Sequence, residues 1–250
     1  MYHELELPGR PLCRSDAGYV RYILPHGVFH SQMHWLRQKG WCGLSVSEAL
    51  HYPAGKSVAI TFDDGSETDL LTAAPILKAN EFNATFYITA GFIGGRGYLS
   101  AQQVRELSSL GFEIGCHSMT HPYLNSLDKR RLDYEIIDAG KQLEDMIGRR
   151  VEHFSCPGGR YDANALAVAK AAGYRSVATS KVRANSPSTN PFALGRVAIV
   201  RDFADSAFQR ICTGEALPRI RLVQSVRATA RSLLGNALYD RFRARLLNEP

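Results

Sequence analysis

The sequence predicts an α/β domain whose parallel sheet is either closed into a barrel or doubly wound. Two observations support this fold class. Strand-like and helix-like segments alternate through most of the 250 residues, at the short spacing typical of βα units. The strand-like segments are short apolar runs bounded by Gly, Pro or Asp, with no internal repeat or low-complexity linker between them. We therefore expect one domain over residues 1–215 and a basic helical extension over residues 216–250.

The first half of the chain contains three predicted strands and four predicted helices. The strands are residues 58–62, residues 84–89 and the "FEIGC" run that leads into "HSMTH". The helices are an early one that ends at Gly40, a short one in "LSVSEALHY", and two that span residues 70–79 and 100–110. Ser100 is a typical N-cap and Gly111 a typical stop, so the last of these helices is clearly bounded.

The second half continues the same alternation. A long amphipathic helix in "DKRRLDYEIIDAGKQLEDMIG" precedes a strand in "VEHFS" and a Pro-Gly-Gly turn. A helix over residues 163–172, a strand over 176–180, a polar loop and a strand over 197–201 follow. The tail "RLVQSVRATARSLLGNALYDRFRARLL" is helix-like, with an interruption near Gly235 and Asn236.

The charge pattern argues against a nucleic-acid-binding protein. The net charge of +6 is modest. Over residues 219–250 only Asp240 and Glu249 oppose a set of arginines, namely Arg219, Arg221, Arg227, Arg231, Arg241, Arg243 and Arg245. This tail is either a terminal helix pair that covers the barrel, or a point of peripheral contact with an anionic membrane.

The cysteines and the hydropathy pattern indicate where in the cell the protein is located. Five scattered cysteines with no CxxC pair favour a reducing environment. No leader pattern and no apolar run long enough to span a bilayer is found in the sequence. We expect a cytoplasmic protein, located at the inner face of the membrane if the tail binds lipid.

Two short motifs carry the chemistry. In "TFDDG", Asp63 and Asp64 follow a buried strand, at the edge where parallel α/β folds build their sites. In "HSMTH", His117 and His121 lie four residues apart, a spacing that brings two imidazoles to one metal. A His-His-Asp set suits Zn²⁺ or a similar divalent ion with open coordination positions. Because adjacent side chains of an extended segment point in opposite directions, we expect different roles for the two aspartates.

These motifs, with "CPGGRYD" at residues 156–162, resemble the successive motifs of the polysaccharide deacetylases. This is the NodB-homology family, or carbohydrate esterase family four, and the resemblance covers about residues 2–208. It implies a distorted (β/α) barrel of about seven strands and a hydrolase that removes acetyl groups from glycans with a divalent metal, commonly zinc. It implies Asp63 as the catalytic base, and Asp64, His117 and His121 as the metal ligands.

The third motif departs from the family pattern. Many members carry an arginine two residues before the proline, where it orients the base, but this chain has Ser155 there. Arg160, just after "PGG", is the candidate replacement. The resemblance otherwise implies substrate contacts for Pro157, Gly158, Gly159 and Tyr161.

The fifth motif of the family, a Leu-x-His that supplies the general acid, is absent. No histidine follows His153, and the late segment "LGRVAIVRDF" bears Arg196 and Arg201 instead. The start of the chain, "MYHEL", resembles the first strand of a rearranged subgroup in which an early histidine stands in for the acid. His3 is therefore the candidate general acid.

The resemblance implies an N-acetylated hexosamine as the substrate, in an exopolysaccharide or a lipid-linked intermediate. Tyr123, Tyr161 and Phe92 are candidates to stack on sugar rings. Two rival hypotheses remain: an amidohydrolase of a small nitrogenous metabolite, and a glycan-binding barrel without turnover. The missing arginine and late histidine favour the second rival, whereas an intact base beside a full metal set opposes it.

Overall fold

The computed structural model describes residues 1–51 and 55–234, with side chains up to residue 226. Within these ranges the strands are β1 (Glu4–Glu6), β2 (Ile23–Pro25), β3 (Cys42–Leu44), β4 (Ser57–Ala59), β5 (Thr61–Asp64), β6 (Thr85–Ile88), β7 (Glu113–Cys116), β8 (His153–Ser155) and β9 (Ser176–Ala178). The α-helices are α1 (Ala17–Val20), α2 (His26–Gln38), α3 (Val46–His51), α4 (Ala74–Ala79), α5 (Ala101–Ser109), α6 (Lys129–Asp133), α7 (Ala139–Ile147), α8 (Ala163–Ala171), α9 (Asp205–Cys212) and α10 (Leu217–Leu234). Two π-helical turns, Asp69–Ala73 and Tyr134–Asp138, lead into α4 and α7.

A curled, fully parallel sheet forms the centre of the fold, in the strand order β5-β6-β7-β8-β9. Each crossover between these strands passes through helices, as parallel pairing requires. The pairs β1-β2 and β3-β4 are also parallel. The predicted (β/α) barrel class is therefore confirmed.

Two irregular segments complete the barrel wall between β9 and β5. Leu194 forms a parallel bridge with Ala178 of β9, and Tyr2 forms one with Phe62 of β5. The two segments also bond to each other, because the Ile199 N–H donates to the Met1 carbonyl at 3.0 Å. With the five central strands, these two segments form a wall of about seven, the number that the family resemblance implies. The segment predicted as a strand over 197–201 thus lies in the wall without forming a regular strand.

The two faces of the sheet differ in chemistry. Phe62, Phe86 and Phe112 are fully buried on the outer side, with ring centroids 5.0 and 5.3 Å apart in sequence order. Tyr87 lies in the interior, where its ring leaves room only for a glycine at position 115: a Cβ there would lie 2.4 Å from a Tyr87 ring carbon. Tyr87 therefore fills part of the barrel interior, and the carboxyl end of the strands is where such folds build a site.

Polar side chains at the amino ends of the strands fix α3 across the barrel floor. Glu113 accepts the N–H groups of Val46 and Ser47 at 3.1 and 3.3 Å. His153 bonds to the Ser47 hydroxyl at 2.7 Å and to the Ser176 hydroxyl at 2.8 Å. Because these buried and half-buried polar groups satisfy one another, they close this end of the barrel without a destabilising unpaired charge.

Several predicted elements are found with small shifts. The helix predicted over 100–110 is α5, with a capping box between Ser100 and Gln103. The strand predicted over 58–62 is divided into β4 and β5, so β5 extends through both aspartates. The sequence patterns did not predict α1, β2, β3 or α9 as elements.

The last described helix lies in the tail. The helix α10 starts at Leu217, and among the described residues no helix has the length and hydropathy needed to cross a bilayer. The predicted interruption near Gly235 and Asn236 lies outside the described residues. The division into residues 1–215 and 216–250 stays a prediction.

Candidate active site

Asp63 and Asp64 are the last two residues of β5, and both are buried. Phe62 faces the outer helices, so alternation turns Asp63 toward the barrel interior. Asp64 has a φ of 80° and Gly65 a φ of 85°, both in the left-handed region. This backbone breaks the alternation, and both carboxylates approach the same imidazole. The sequence-based expectation of opposite directions fails here because Asp64 is not extended.

The loop after β7 brings His117 and His121 to the aspartates. The two ring centroids are 5.0 Å apart. His117 Nε2 lies 3.4 Å from Asp64 Oδ1, and His121 Nε2 lies 3.3 Å from the same oxygen. One ligand atom from each of the three residues lies within 4.8 Å of the others. This arrangement brings together the predicted metal ligands.

The hydrogen bonds around this set suit a cation. His117 Nδ1 lies 2.8 Å from the Ser155 carbonyl oxygen. Because a carbonyl can only accept, Nδ1 carries a proton, and Nε2 is the ring nitrogen left facing Asp64. Asp64 Oδ1 is buried without a hydrogen-bond partner. Burial would raise the pKa of Asp64, but His117 and His121 outweigh it and hold that pKa well below its usual range. The donors therefore fit a divalent metal ion.

The arginine that binds Asp63 is Arg196. Its Nη1 donates to Asp63 Oδ1 at 2.7 Å and its Nη2 to Oδ2 at 2.8 Å, a buried bidentate pair. Nη2 also donates to the Ser155 hydroxyl at 2.7 Å, and Nε to the Thr179 carbonyl at 3.1 Å. Burial would raise the pKa of Asp63, but Arg196 and His117 outweigh it and lower that pKa to about 2. Asp63 is thus held ionised in one orientation.

The sequence did not predict Arg196 as the partner of Asp63, and the role expected for Arg160 stays a prediction. The small Ser155 occupies the position of the usual arginine, and Arg196 reaches Asp63 beside it from the segment after β9. The Arg160 guanidinium lies 3.8 Å from the centroid of the Tyr123 ring. The sequence did contain a signal, since Arg196 interrupts the otherwise apolar, strand-like run "LGRVAIV".

The third-motif loop lies beside Tyr123. Gly158 has a φ of 59°, and a Cβ there would lie 2.8 Å from a Tyr123 ring carbon. Tyr123 is 43% exposed, two residues after the candidate ligand His121. Phe92 lies near the same histidine, with its ring centroid 6.1 Å from that of His121. The Lys181 ammonium lies 5.5 Å from the Tyr161 ring. Substrate contacts for Pro157, Gly158, Gly159 and Tyr161 stay predictions.

His3 reaches the same edge of the barrel. The Tyr2–Phe62 bridge places His3 beside Asp63 along neighbouring segments, and alternation turns both side chains inward. Its ring packs on Tyr22 at 4.7 Å, and its Nδ1 is buried without a hydrogen-bond partner. Burial lowers the pKa of His3, and the negative charges of Asp64 and Asp63 offset part of this effect. The structure thus brings His3 close to the base, while its role as the acid stays a prediction.

Comparisons with known proteins identify a family. A model of the polysaccharide deacetylase family matches residues 51–177. The YxkH protein of Bacillus subtilis (strain 168), a candidate polysaccharide deacetylase, is 31% identical over 214 residues, which are 83% of this chain and 73% of that protein. The poly-β-1,6-N-acetyl-D-glucosamine N-deacetylase of Staphylococcus aureus (strain MRSA252) is 27% identical over 216 residues, 79% of this chain and 73% of that enzyme.

Solved structures support the fold. The Streptococcus pyogenes deacetylase PplD, in complex with acetate, superposes with a TM-score of 0.74 at 24% identity, over 84% of this chain and 95% of that chain. Neither rival hypothesis, the small-molecule amidohydrolase or the glycan-binding barrel, gains support from these comparisons. The family match and the extended identity to the Bacillus relative show that the chain belongs to the polysaccharide deacetylase family.

Proposed function

We propose that this polysaccharide deacetylase hydrolyses N-acetyl groups of hexosamine residues in a glycan, with a divalent metal at Asp64, His117 and His121. The observation that carries the proposal is the Asp63 carboxylate, held by Arg196 within 3.7 Å of the metal-ligand candidate His117. A carboxylate with its own positioning arginine beside a three-ligand set is what metal-assisted hydrolysis requires.

Zn²⁺ is the first candidate for the ion. Two imidazoles and one carboxylate are a common catalytic zinc set, which leaves coordination positions open. Such an ion would polarise the acetyl carbonyl and lower the pKa of a bound water.

Asp63 is the proposed general base. Arg196 occupies one lone pair on each carboxylate oxygen, and the Ser155 hydroxyl lies 3.3 Å from Oδ2. A carboxylate offers about four lone-pair sites, so Asp63 can still accept a proton from the attacking water. The Arg196 guanidinium holds the carboxylate in one orientation during this proton transfer.

His3 is the proposed general acid, which protonates the leaving amine nitrogen. Deacetylation of an amide requires such a proton donor. The buried Nδ1 of His3 and its place beside Asp63 support this role. The family position for the acid is empty in this chain, since no histidine follows His153.

The proposed substrate is a polymer or lipid-linked oligomer of N-acetylglucosamine. The Staphylococcus relative acts on poly-β-1,6-N-acetyl-D-glucosamine by its name. The half-exposed ring of Tyr123, backed by the Arg160 guanidinium, is suited to stack on a sugar ring at the rim of the site.

Acetate release tests this proposal. Oligomers of β-1,6-linked and β-1,4-linked N-acetylglucosamine are offered to the wild type, Asp63→Asn and His3→Ala, and bound metal is measured in each protein. We expect metal in all three and acetate from the wild type alone. Release of acetate only from small amides would favour the rival hypothesis of an amidohydrolase that acts on a small metabolite. Bound metal with no acetate from any substrate would favour a binding protein.

We also propose that α10 contacts an anionic membrane surface from the cytoplasmic side. Its inner side is anchored, because Gln224 accepts the Val182 N–H at 2.8 Å and Leu217 is buried. Its outer side presents Leu222 and Val226, which are 66% and 63% exposed and one turn apart. Apolar side chains among arginines are the pattern of an interfacial helix.

Vesicle flotation tests the membrane contact. Wild-type protein should float with phosphatidylserine-containing vesicles and not with pure phosphatidylcholine. Leu222→Ser with Val226→Ser should abolish flotation, whereas Leu110→Ser, at another exposed leucine, should not. Equal flotation of the double variant would contradict a role for α10.

A further inference from the structure

The loop that carries both histidines has an unusual backbone. Ser118 and His121 have φ values of 70° and 62°, although neither is a glycine. Conformations of this kind persist only where the surroundings hold them in place. The loop supplies part of this itself, through the bond from the His121 N–H to the Ser118 hydroxyl at 3.0 Å. The N–H groups of the middle residues, Met119 and Thr120, require another partner.

That partner is the carboxylate of Glu135. One oxygen, Oε2, accepts the Met119 N–H at 3.0 Å and the Thr120 N–H at 2.8 Å. The other, Oε1, accepts the Thr120 hydroxyl at 2.6 Å and the Arg131 guanidinium at 3.0 Å. Glu135 is fully buried and lies in the π-helical turn between α6 and α7. Such turns frequently occur at functional sites.

A fully buried carboxylate is costly unless it is well paired, and this one is satisfied by four donors, three of which belong to the histidine loop. An uncharged residue could fill the same volume without that cost. We infer that Glu135 is a positioning residue for the metal site: it fixes the loop so that His117 and His121 reach one ion. The inference rests on the proposed function, since it takes Asp64, His117 and His121 as the ligands.

The chemistry of the side chain makes the inference specific. In Glu135→Gln the amide oxygen can replace Oε2, and the amide NH₂ can donate to the Thr120 hydroxyl, so the loop keeps its anchor. In Glu135→Ala both loop N–H groups lose their acceptor. Residues that orient metal ligands typically contribute 10-fold to 100-fold to metal affinity. We therefore expect a 10-fold to 100-fold weaker affinity for Zn²⁺ in Glu135→Ala and a change of a few-fold in Glu135→Gln.

Glu144 provides a matched control. It lies on α7, and its Oε1 accepts the Val151 N–H at 3.0 Å and pairs with Arg150, so it anchors a loop outside the site. Thr120→Val is the milder companion to Glu135→Ala, since it removes one hydroxyl donor and keeps the Thr120 N–H. It should weaken Zn²⁺ binding in the same direction and by less.

The experiment measures the dissociation constant for Zn²⁺ by chelator competition, starting from metal-free protein, with the unfolding temperature of each metal-free variant. We expect Glu135→Ala and Thr120→Val to bind Zn²⁺ more weakly, Glu135→Gln to restore most of the affinity, and Glu144→Ala to lower only the unfolding temperature. Excess Zn²⁺ should restore deacetylation by Glu135→Ala.

Three results would overturn the inference. Wild-type affinity in Glu135→Ala and Thr120→Val would limit Glu135 to a structural role, and the proposed function would stand. Equal weakening in Glu144→Ala would mean that general destabilisation, not the loop anchor, sets the affinity. A wild-type protein that binds no divalent metal would overturn the proposed function, and this inference with it.

Discussion

The buried pair between Arg196 and Asp63 makes the sharpest prediction, because both its strength and its role can be measured. Arg196→Met removes the guanidinium and leaves Asp63 as a buried charge without its main partner. Removing one member of a buried ion pair costs about 3–5 kcal/mol. One unit of pKa corresponds to about 1.4 kcal/mol, so the pKa of Asp63 should rise by about 2–4 units.

The sign of the pH effect follows directly. In the wild type, the pKa of Asp63 is about 2, so the base is ionised across the working range. In Arg196→Met we expect that pKa at about 4–6, and the base is lost as the pH falls through this value. The pH profile of kcat/KM should therefore gain an acid limb near pH 4–6. At neutral pH, kcat should still fall by about 100-fold. Without the bidentate contact from the guanidinium, the Asp63 carboxylate is no longer held in its orientation, and a displacement of about 1 Å is enough for such a loss.

Arg201→Met is the matched control. Arg201 lies on the same segment and donates to Glu6 at 2.7 Å, but both side chains are partly exposed, at 36% and 46%. Exposed pairs contribute about 0–1 kcal/mol, so this variant should keep wild-type activity. Arg196→Met with an unchanged kcat/KM and no new acid limb would refute the positioning role. Equal loss in Arg201→Met would point to a damaged barrel wall instead.

A stability cycle separates the pair from its role in catalysis. Asp63→Asn alone leaves the Arg196 guanidinium buried without its charged partner. Arg196→Met alone leaves the Asp63 carboxylate buried without its charged partner. The double variant removes both charges and should unfold at a higher denaturant concentration than either single variant. Additive destabilisation in urea unfolding would mean that the two side chains do not interact as the distances indicate.

Three further predictions concern the acid, the metal and the third-motif glycine. Burial lowers the pKa of His3 below its ordinary 6.5, so the acid form is lost as the pH rises through a value under 6.5. The alkaline limb of kcat/KM should vanish in His3→Gln. Glu4→Gln is the control, because burial raises the pKa of the neighbouring Glu4 to about 7 and its titration could produce a similar limb; in that variant the limb should persist. Dialysis against a chelator should abolish acetate release and lower the unfolding temperature, and Zn²⁺ should restore both; activity that survives metal removal would contradict the site. Gly158→Ala should raise KM for the glycan, because the added Cβ would lie 2.8 Å from a carbon of the Tyr123 ring. Gly148→Ala is the control: Gly148 also has a left-handed backbone, but a Cβ there meets no neighbouring atom, so KM should not change.

The sequence predicted those parts of the site whose residues are close together in the chain. The pairs in "TFDDG" and "HSMTH" follow strands, and the strand pattern places both at the same edge of a parallel sheet. The residues alone therefore predicted that a carboxylate and two histidines would meet there, and the family resemblance gave Asp64, His117 and His121 as the ligand set. The left-handed φ of Asp64 brings both carboxylates to one imidazole. The sequence contains no signal for this conformation apart from the glycine that follows.

Long-range partners were harder to predict. The charge partner of Asp63 lies at a sequence separation of 133 residues, in a segment whose pattern showed only an arginine among apolar residues. Arg160 is nearer to the third motif in sequence, so proximity in sequence favoured Arg160 and did not point to Arg196. The contact depends on which segments complete the barrel wall, and strand order is not encoded in the periodicity of any one strand.

The two departures from the family pattern have a common structural basis. The N-terminal segment carries His3 and the segment after Gly195 begins with Arg196, and these two segments are neighbours in the barrel wall. The Ile199 N–H bonds to the Met1 carbonyl, while Tyr2 bridges to Phe62, next to Asp63. Arg196 binds the Asp63 carboxylate and His3, the candidate acid, lies beside it, so both come from the part of the wall that closes the barrel. Completing the wall also completes the site, so in this chain the acid candidate and the positioning arginine depend on the same few backbone hydrogen bonds.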